Sequence, residues 1–228
     1  MPAREEADRV EHSLGALMRA ARHPHLRRTQ VRVVVVDDSS TDTTGERSSA
    51  ILGSRGEVVR VDVQNVGSAR RTGFRELCRA SDGLDETGVW FATTDADTLV
   101  HPEWLLRQVR WWRKGADAVA GTVTPISWAE QTAAVRVRYA AHMWRLGMQN
   151  GHPHVHGANL SLTKSAYVTA GGMPAVETGE DHALWQAVQA SGTRAWHVSD
   201  VVVATSTRRE GRAPDGFSSL LRSFGEQR

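Results

Sequence analysis

Short continuous runs of β-branched residues alternate with stretches of helical apolar spacing through the first hundred residues. The runs predict strands at 31–36, 58–63 and 89–93, and the periodic stretches predict helices at 5–21, 44–52 and 68–79. Strands that are apolar on both faces are typical of a parallel sheet with helices covering each side. The pattern therefore predicts a doubly wound α/β fold.

The second half of the chain continues the alternation with less regular spacing. It predicts a tryptophan-rich helix at 102–114, a strand at 118–124, a helical stretch at 128–148, a strand-like segment at 158–162, a helix from Lys164 and a helix that opens at Glu180. The tail from Arg208 is rich in arginine and glycine and ends in an amphipathic piece at 217–224. A chain of 228 residues suits one large domain of this kind.

Two carboxylates follow the predicted strand at 89–93. Asp95 and Asp97 are two positions apart, and side chains with this spacing point the same way in an extended backbone. They can therefore converge on one hard divalent cation. The alternative is an ordinary solvated loop, because this short pattern also occurs by chance.

Polar residues also follow the predicted strand at 31–36. Asp38 and Ser40 would lie at the carboxyl edge of the sheet, where open α/β sheets bind ligands. A carboxylate at this edge can accept hydrogen bonds from a nucleobase or a ribose. The alternative role for this segment is to cap the next helix, through Thr41 or Asp42.

The predicted strand at 58–63 runs into Asn65, Gly67 and Arg70, which open the next helix. A glycine at such a turn lets the backbone approach an anion, and the arginine supplies a positive charge. The chain has neither a dinucleotide-type Gly-x-Gly-x-x-Gly motif nor a phosphate loop. This argues against a nicotinamide enzyme and a phosphate-loop ATPase.

Two further polar clusters each allow two interpretations. Glu180 and Asp181 are either an acidic pair at a helix start or a source of a proton acceptor. His152, His154 and His156 could share a metal ion, but no cysteine or paired glutamate completes a zinc set. A polar loop beside a ligand site is the alternative, with His156 best placed to face the ligand.

Composition limits the classes of partner and location. The net charge of +2 does not call for a nucleic acid, although the pI is about 9.1. Cys78 is the one cysteine, which excludes an internal disulfide and fits a reducing compartment. No run approaches the roughly 20 apolar residues of a membrane span. From these features we expect a cytoplasmic protein.

Seven motifs, taken in order, resemble those of family 2 glycosyltransferases with the GT-A fold. They are residues 2–6 (Pro-Ala-Arg-Glu-Glu), 36–42 (Val-Asp-Asp-Ser-Ser-Thr-Asp), 65–67 (Asn-Val-Gly) with Arg70 and Gly73, 94–97 (Thr-Asp-Ala-Asp), 157–159 (Gly-Ala-Asn), 171–173 (Gly-Gly-Met) and 180–181 (Glu-Asp). The match runs from residue 2 to about residue 185. It implies an α/β GT-A fold, with a mixed, mostly parallel sheet and helices on both faces.

The resemblance also implies an activity and a site. The family moves a sugar from a nucleotide-sugar donor, here a UDP- or GDP-sugar, to a hydroxyl acceptor, and we expect inversion. Asp181 would be the catalytic base, and Asp95 and Asp97 would bind Mn²⁺ or Mg²⁺. The residues expected to contact the donor are Pro2, Ala3, Glu5, Asp38, Ser40, Asn65, Gly67, Arg70, Asp95, Gly157 and Asn159.

The resemblance further divides the single domain. Residues 1–100 would form the nucleotide-binding half, 101–206 the acceptor half and 207–228 a basic tail. In that tail, Arg208, Arg209 and Arg212 could close over the diphosphate or simply remain solvated.

The start of the chain departs from the family pattern. Met1 directly precedes Pro2, where the family has a complete apolar strand, so we expect a truncated first strand or a start further upstream. Two other functions remain open. One is a non-catalytic relative that only binds sugar nucleotides, and the other is a nucleotidyltransferase on a related fold, although the glycine- and arginine-rich loop of that class is missing.

Overall fold

This computed structural model describes residues 1–129, 131–145, 152, 154–174, 176, 178–208 and 217–226. These residues contain eight β-strands and eight α-helices. The strands are β1 (Pro2–Ala3), β2 (Val33–Asp38), β3 (Gly56–Val61), β4 (Trp90–Thr93), β5 (Thr98–Val100), β6 (Ala118–Pro125), β7 (Leu160–Thr163) and β8 (Ala195–Thr205). The helices are α1 (Ala7–Ala21), α2 (Thr44–Leu52), α3 (Val66–Ala80), α4 (Trp104–Arg113), α5 (Ala133–Arg145), α6 (Lys164–Thr169), α7 (Glu180–Ala190) and α8 (Phe217–Glu226).

The first sheet contains three parallel strands in the order β1-β2-β3. Every residue of β2 is buried, and its first four residues are valines, as expected for a central strand. β1 has only two residues, Pro2 and Ala3, which pair with Val36 and Asp37. Because all three strands run the same way, their carboxyl ends meet at one edge.

The second sheet has five strands in the order β4-β7-β6-β8-β5. β6 and β8 are parallel, and the other three pairings are antiparallel. Helix α3 packs against β1, β2 and β4, so it bridges the two sheets. The α/β fold class with a mixed sheet is thereby confirmed.

Asn159 fills an irregularity between β6 and β8. The register of this pair shifts around Gly121. The side-chain amide of Asn159 donates to the carbonyl oxygens of Thr122 (2.8 Å) and Val201 (2.9 Å), and its oxygen accepts from the indole nitrogen of Trp104 (2.9 Å). A Cβ at position 121 would lie 2.4 Å from the amide nitrogen, so only glycine leaves room for it. Asn159 thus joins α4, β6 and β8 inside the core.

The predicted elements agree with the structure where the pattern is strong. The helix predicted at 44–52 coincides with α2, and the strands β2, β3 and β4 lie within two residues of their predicted bounds. The helix predicted at 128–148 is shorter, because α5 runs from Ala133 to Arg145, and residues 146–148 lie outside the described residues. The strands β5 and β8 have no counterpart among the predicted elements.

We predict that Asn159→Ala lowers the free energy of unfolding by roughly 2–4 kcal/mol. The substitution leaves the Trp104 indole and two buried carbonyl oxygens without their partner. Urea titration of the two proteins measures the difference. Ser161→Ala is the matched control, because Ser161 is equally buried but makes only one long contact of 3.4 Å, to the Val119 oxygen. A loss for Asn159→Ala no larger than that of the control would contradict this account.

Candidate active site

Three non-glycine residues with left-handed backbone surround the carboxyl edge of the first sheet. They are Glu5, Ser39 and Gln64, with φ of 49°, 60° and 47°. This conformation is unfavourable for side chains with a Cβ, and such strain clusters at functional sites. Local hydrogen bonds hold the corner, since Thr41 N–H donates to Glu5 Oε1 (2.6 Å) and Glu5 N–H donates to Ser40 Oγ (3.0 Å). Glu5 and Ser40, two predicted donor contacts, therefore lie together.

Asp38 organises the loop that leads into α3. Its Oδ1 accepts from the backbone N–H groups of Val63 and Gln64, both at 2.9 Å, and its Oδ2 accepts from that of Asn65 at 3.0 Å. The residue is only 4% exposed. Asp38 thus lies at the predicted sheet edge and fixes the neighbouring loop, while its contact with a nucleobase stays a prediction.

Asn65 and Gly67 bring the start of α3 close to the start of α7. Asn65 Oδ1 accepts from Ser68 N–H (2.7 Å) and caps α3, and its amide nitrogen donates to the Val176 oxygen (3.3 Å). A Cβ at Gly67 would lie 3.0 Å from the Cβ of Glu180. A larger side chain at position 67 would push the two helix starts apart.

The guanidinium of Arg70 joins the Asp95 turn to α7. Its Nη2 pairs with Asp95 Oδ1 at 2.5 Å, and its Nη1 pairs with Glu180 Oε1. The side chain is 5% exposed. Burial opposes its charge, but Asp95 and Glu180 outweigh burial and raise the pKa of Arg70. Gly157 closes the remaining side, because a Cβ there would lie 2.4 Å from Arg70 Cζ.

Asp95 and Asp97 lie in the turn between β4 and β5, where Thr98 N–H donates to the Asp95 carbonyl oxygen at 3.1 Å. Asp97 Oδ2 pairs with Arg208 Nη2 at 2.9 Å. Burial, and next the negative charge of Asp95, raise the pKa of Asp97 from 3.8 to about 6. The two carboxylates are thus close enough to repel each other, and each has an arginine as its counter-ion.

This pair suits a hard divalent cation by its chemistry, since carboxylate oxygens are the ligands that Mg²⁺ and Mn²⁺ prefer. Over the described ranges, however, no group of three histidine, cysteine, aspartate or glutamate side chains could hold a metal ion. The protein would therefore supply two carboxylates, and the other ligands would have to come from the donor or from water.

Asp181 lies in the first turn of α7, directly after Glu180. Its Oδ2 accepts from Gly157 N–H (2.6 Å) and its Oδ1 accepts from His182 N–H (2.8 Å). The carboxylate is half-buried. Gly157 also borders the Arg70 guanidinium, so Asp181 lies in the same cluster as Asp95. The structure thus brings the predicted base, the predicted metal pair and Arg70 together.

The histidine loop packs as a row of rings. The ring centres of His152 and His154 are 6.2 Å apart, and those of His154 and His156 are 5.6 Å apart. Burial, and next the charge of His154, lower the pKa of His156 to about 4, so this ring is neutral near pH 7. His156 directly precedes Gly157 and so borders the Arg70 cluster. The described part of the loop gives the metal interpretation no support.

Sequence reasoning did not predict the ion pairs of three residues in this cluster. Glu180 is the partner of Arg70, and Glu6 pairs with Arg208 at 2.8 Å. Arg208 was predicted as part of a basic tail that could close over the diphosphate or remain solvated, and Arg209 and Arg212 of that tail lie outside the described residues. An ion pair between residues far apart in the sequence cannot be predicted from local spacing. The acidic pairs at 5–6 and 180–181 were the sequence features that indicated these contacts.

The sequence model of the family described as glycosyl transferase family 2 matches residues 1–166. The chain belongs to this family. Family 2 membership confirms the resemblance on which the site was predicted. A search of curated proteins finds no significant match to the chain.

Solved structures with the same fold include three proteins of low sequence identity. The mannosyltransferase PcManGT from Pyrobaculum calidifontis, in complex with GDP-Man and Mn²⁺, has a TM-score of 0.64 and 21% identity over 97% of this chain and 66% of its own. S. aureus TarS 1–349 in complex with UDP has a TM-score of 0.65 and 15% identity, over 91% of this chain and 59% of its own. Glucosyl-3-phosphoglycerate synthase from Mycobacterium tuberculosis, in complex with Mg²⁺ and UDP, has a TM-score of 0.55 and 20% identity, over 91% of this chain and 70% of its own.

These likenesses establish the GT-A fold for this family 2 chain. The chain spans about three-fifths to two-thirds of the length of PcManGT and TarS, which are longer proteins. Among the helices of the described residues, none has the length and apolar character that a membrane crossing requires.

We predict that Asp97→Asn raises the melting temperature at neutral pH. The fold raises the pKa of Asp97 to about 6, so the native state holds its proton more tightly than the unfolded chain. Stability from this group is therefore present below about pH 4 and is lost as the pH rises toward 6. The difference in melting temperature, variant minus wild type, should grow between pH 4 and 6 and stay constant above about pH 7. A difference that does not change with pH would show that Asp97 carries no such shift.

Proposed function

We propose that this protein is a metal-dependent glycosyltransferase, which moves a sugar from a UDP- or GDP-sugar to a hydroxyl acceptor with inversion. One observation carries the proposal. Arg70 links Asp95, beside Asp97, to Glu180, beside Asp181. A pair suited to a divalent cation and a candidate base therefore border one space. Family 2 membership and structural neighbours that hold GDP-Man or UDP support the choice of donor.

The nucleotide would lie along the carboxyl edge of the first sheet. Pro2 and Ala3 border this edge through their pairing with β2, and Glu5 and Ser40 form the strained corner beside them. The backbone at this corner is already held in position, so nucleotide binding would cost little additional conformational entropy. The Asn159 side chain is not part of the proposed donor site, because its amide is fully engaged in the core.

Asp95 and Asp97 would hold Mn²⁺ or Mg²⁺ against the diphosphate. A bound divalent cation offsets the negative charge that develops on the departing nucleoside diphosphate. The protein's own contribution is to keep two carboxylates adjacent despite their repulsion. Arg70 does this for Asp95 through an ion pair in which the arginine side chain is 5% exposed and the aspartate side chain 32% exposed.

Asp181 would accept the proton of the attacking hydroxyl group. Its two backbone hydrogen bonds orient the carboxylate without occupying every lone pair. Glu180, the other carboxylate at this helix start, is tied to Arg70 and is not free to act as a nucleophile. With Glu180 held by Arg70 and the aspartate pair assigned to the metal, Asp181 is left to take the proton, which supports direct displacement and hence inversion.

We predict that UDP or GDP binds tightly only with Mn²⁺, and that Asp97→Asn removes this metal dependence. The reason is that Asp95 and Asp97 would hold a cation whose charge offsets that of the diphosphate. Calorimetric titration with and without Mn²⁺ measures both effects. Asp117→Asn is the control, since Asp117 is an ion-paired aspartate whose contacts are with Arg194. Equal nucleotide affinity of the wild-type protein in excess chelator would overturn the metal assignment.

We predict that Asp181→Asn lowers turnover by roughly 10²-fold or more while donor affinity stays nearly unchanged. Asparagine keeps the shape but cannot take up the proton. Donor titration and turnover with a panel of hydroxyl acceptors separate the two effects. Near-normal turnover would show that Asp181 is not the base and only stabilises the start of α7. Donor binding without turnover in the wild-type protein, over the whole panel, would instead favour a non-catalytic sugar-nucleotide-binding protein.

A further inference from the structure

Arg208 binds two acidic residues that come from distant parts of the described chain. Its Nη1 lies 2.8 Å from Glu6 Oε1, and its Nη2 lies 2.9 Å from Asp97 Oδ2. The carboxylate partners are nearly buried, with side chains 5% and 12% exposed, while the arginine side chain is 18% exposed. One guanidinium therefore neutralises a member of the predicted metal pair.

This contact places Arg208 in competition with a divalent cation. A metal ion binds a carboxylate oxygen at about 2.0–2.1 Å. A guanidinium held on the same carboxylate would bring two positive charges within a few ångströms of each other, in a site that solvent barely reaches. Their repulsion means that tight metal binding and the present Arg208–Asp97 contact oppose each other.

The backbone near Arg208 stays beside the metal turn whichever way the side chain points. Ser206 N–H donates to the Asp97 carbonyl oxygen (3.2 Å), and Arg208 N–H donates to Ser206 Oγ (3.3 Å). The long arginine side chain can therefore leave Asp97 without leaving the site. Arg70 offers a contrast, because deep burial and the close contact with Gly157 hold its guanidinium in one place.

Glu6 can tolerate the departure of Arg208. A second arginine, Arg9, lies 3.8 Å from Glu6 Oε2 on the same helical face. The Glu6 carboxylate would thus keep a positive neighbour when Arg208 moves. Asp97 would receive the metal ion in exchange.

We propose that Arg208 is an exchangeable counter-ion for the metal pair. It occupies Asp97 in the metal-free protein, yields that carboxylate to the divalent cation, and then pairs with the diphosphate of the donor. Arg208 is in this sense a positioning residue that couples metal binding to donor binding. The diphosphate half of this inference rests on the proposed function, whereas the competition at Asp97 does not.

The test measures two affinities that should change in opposite directions in Arg208→Gln. Mn²⁺ alone, followed by the paramagnetic resonance signal of the free ion, should bind at least about five-fold more tightly, because its competitor is gone. UDP or GDP in saturating Mn²⁺ should bind at least about five-fold more weakly, because the diphosphate loses a partner. Arg208→Lys should fall between the wild-type protein and Arg208→Gln in both measurements.

Arg194→Gln is the matched control. It removes the same charge from an exposed arginine whose partner is Asp117, so both affinities should stay within about two-fold of wild type. A thermal melt of each variant shows whether it is folded. Weaker or unchanged Mn²⁺ binding in both folded Arg208 variants would overturn the competition. Unchanged nucleotide affinity would overturn the diphosphate contact.

The two proposals fail in distinguishable ways. If the wild-type protein binds neither nucleotide in the presence of Mn²⁺, the proposed function is overturned and with it the diphosphate contact. The titration of Mn²⁺ alone still decides whether Arg208 and the metal compete for Asp97.

Discussion

The buried guanidinium of Arg70 is the constraint on which the arrangement of the site depends. It holds Asp95 on one side and Glu180 on the other, with the side chain 5% exposed. Charges in such a place are costly unless each has its partner, so loss of either carboxylate would leave an uncompensated cation in the interior. The turn after β4 and the first turn of α7 are therefore fixed relative to each other by charge as well as by packing.

This ion pair also explains why glycine stands where the elements converge. Gly157 leaves room for the Arg70 guanidinium, and Gly67 leaves room for Glu180. Neither residue has a positive φ, so the requirement is close approach rather than backbone freedom. Gly157 N–H also donates to Asp181. One small residue thus serves the buried ion pair and the orientation of the candidate base together.

The local pattern of apolar and polar residues predicted the strands and helices that depend on local sequence. The valine run that opens β2 and the coinciding bounds of α2 follow from burial and helical spacing alone. β8 was missed because Ser199 and Asp200 interrupt its apolar pattern, although both lie within a strand of eleven residues. The pairings of Arg70 with Glu180 and of Arg208 with Glu6 were beyond such reasoning, since these partners lie 110 and 202 positions apart. Family motifs included Arg70 as an expected donor contact, but they did not predict which carboxylates it pairs with.

The charge balance of the cluster links these observations to metal binding. Among the described residues in direct contact, Arg9, Arg70 and Arg208 face the carboxylates of Glu6, Asp95, Asp97 and Glu180. Three positive groups therefore stand against four negative ones, so the cluster keeps an excess of negative charge that attracts a cation. The raised pKa of Asp97 is a direct consequence, because burial and Asp95 outweigh the attraction of Arg208. A donor diphosphate would add further negative charge to this space. Under the proposed function, a cation held by the aspartate pair and a released Arg208 would both offset that charge.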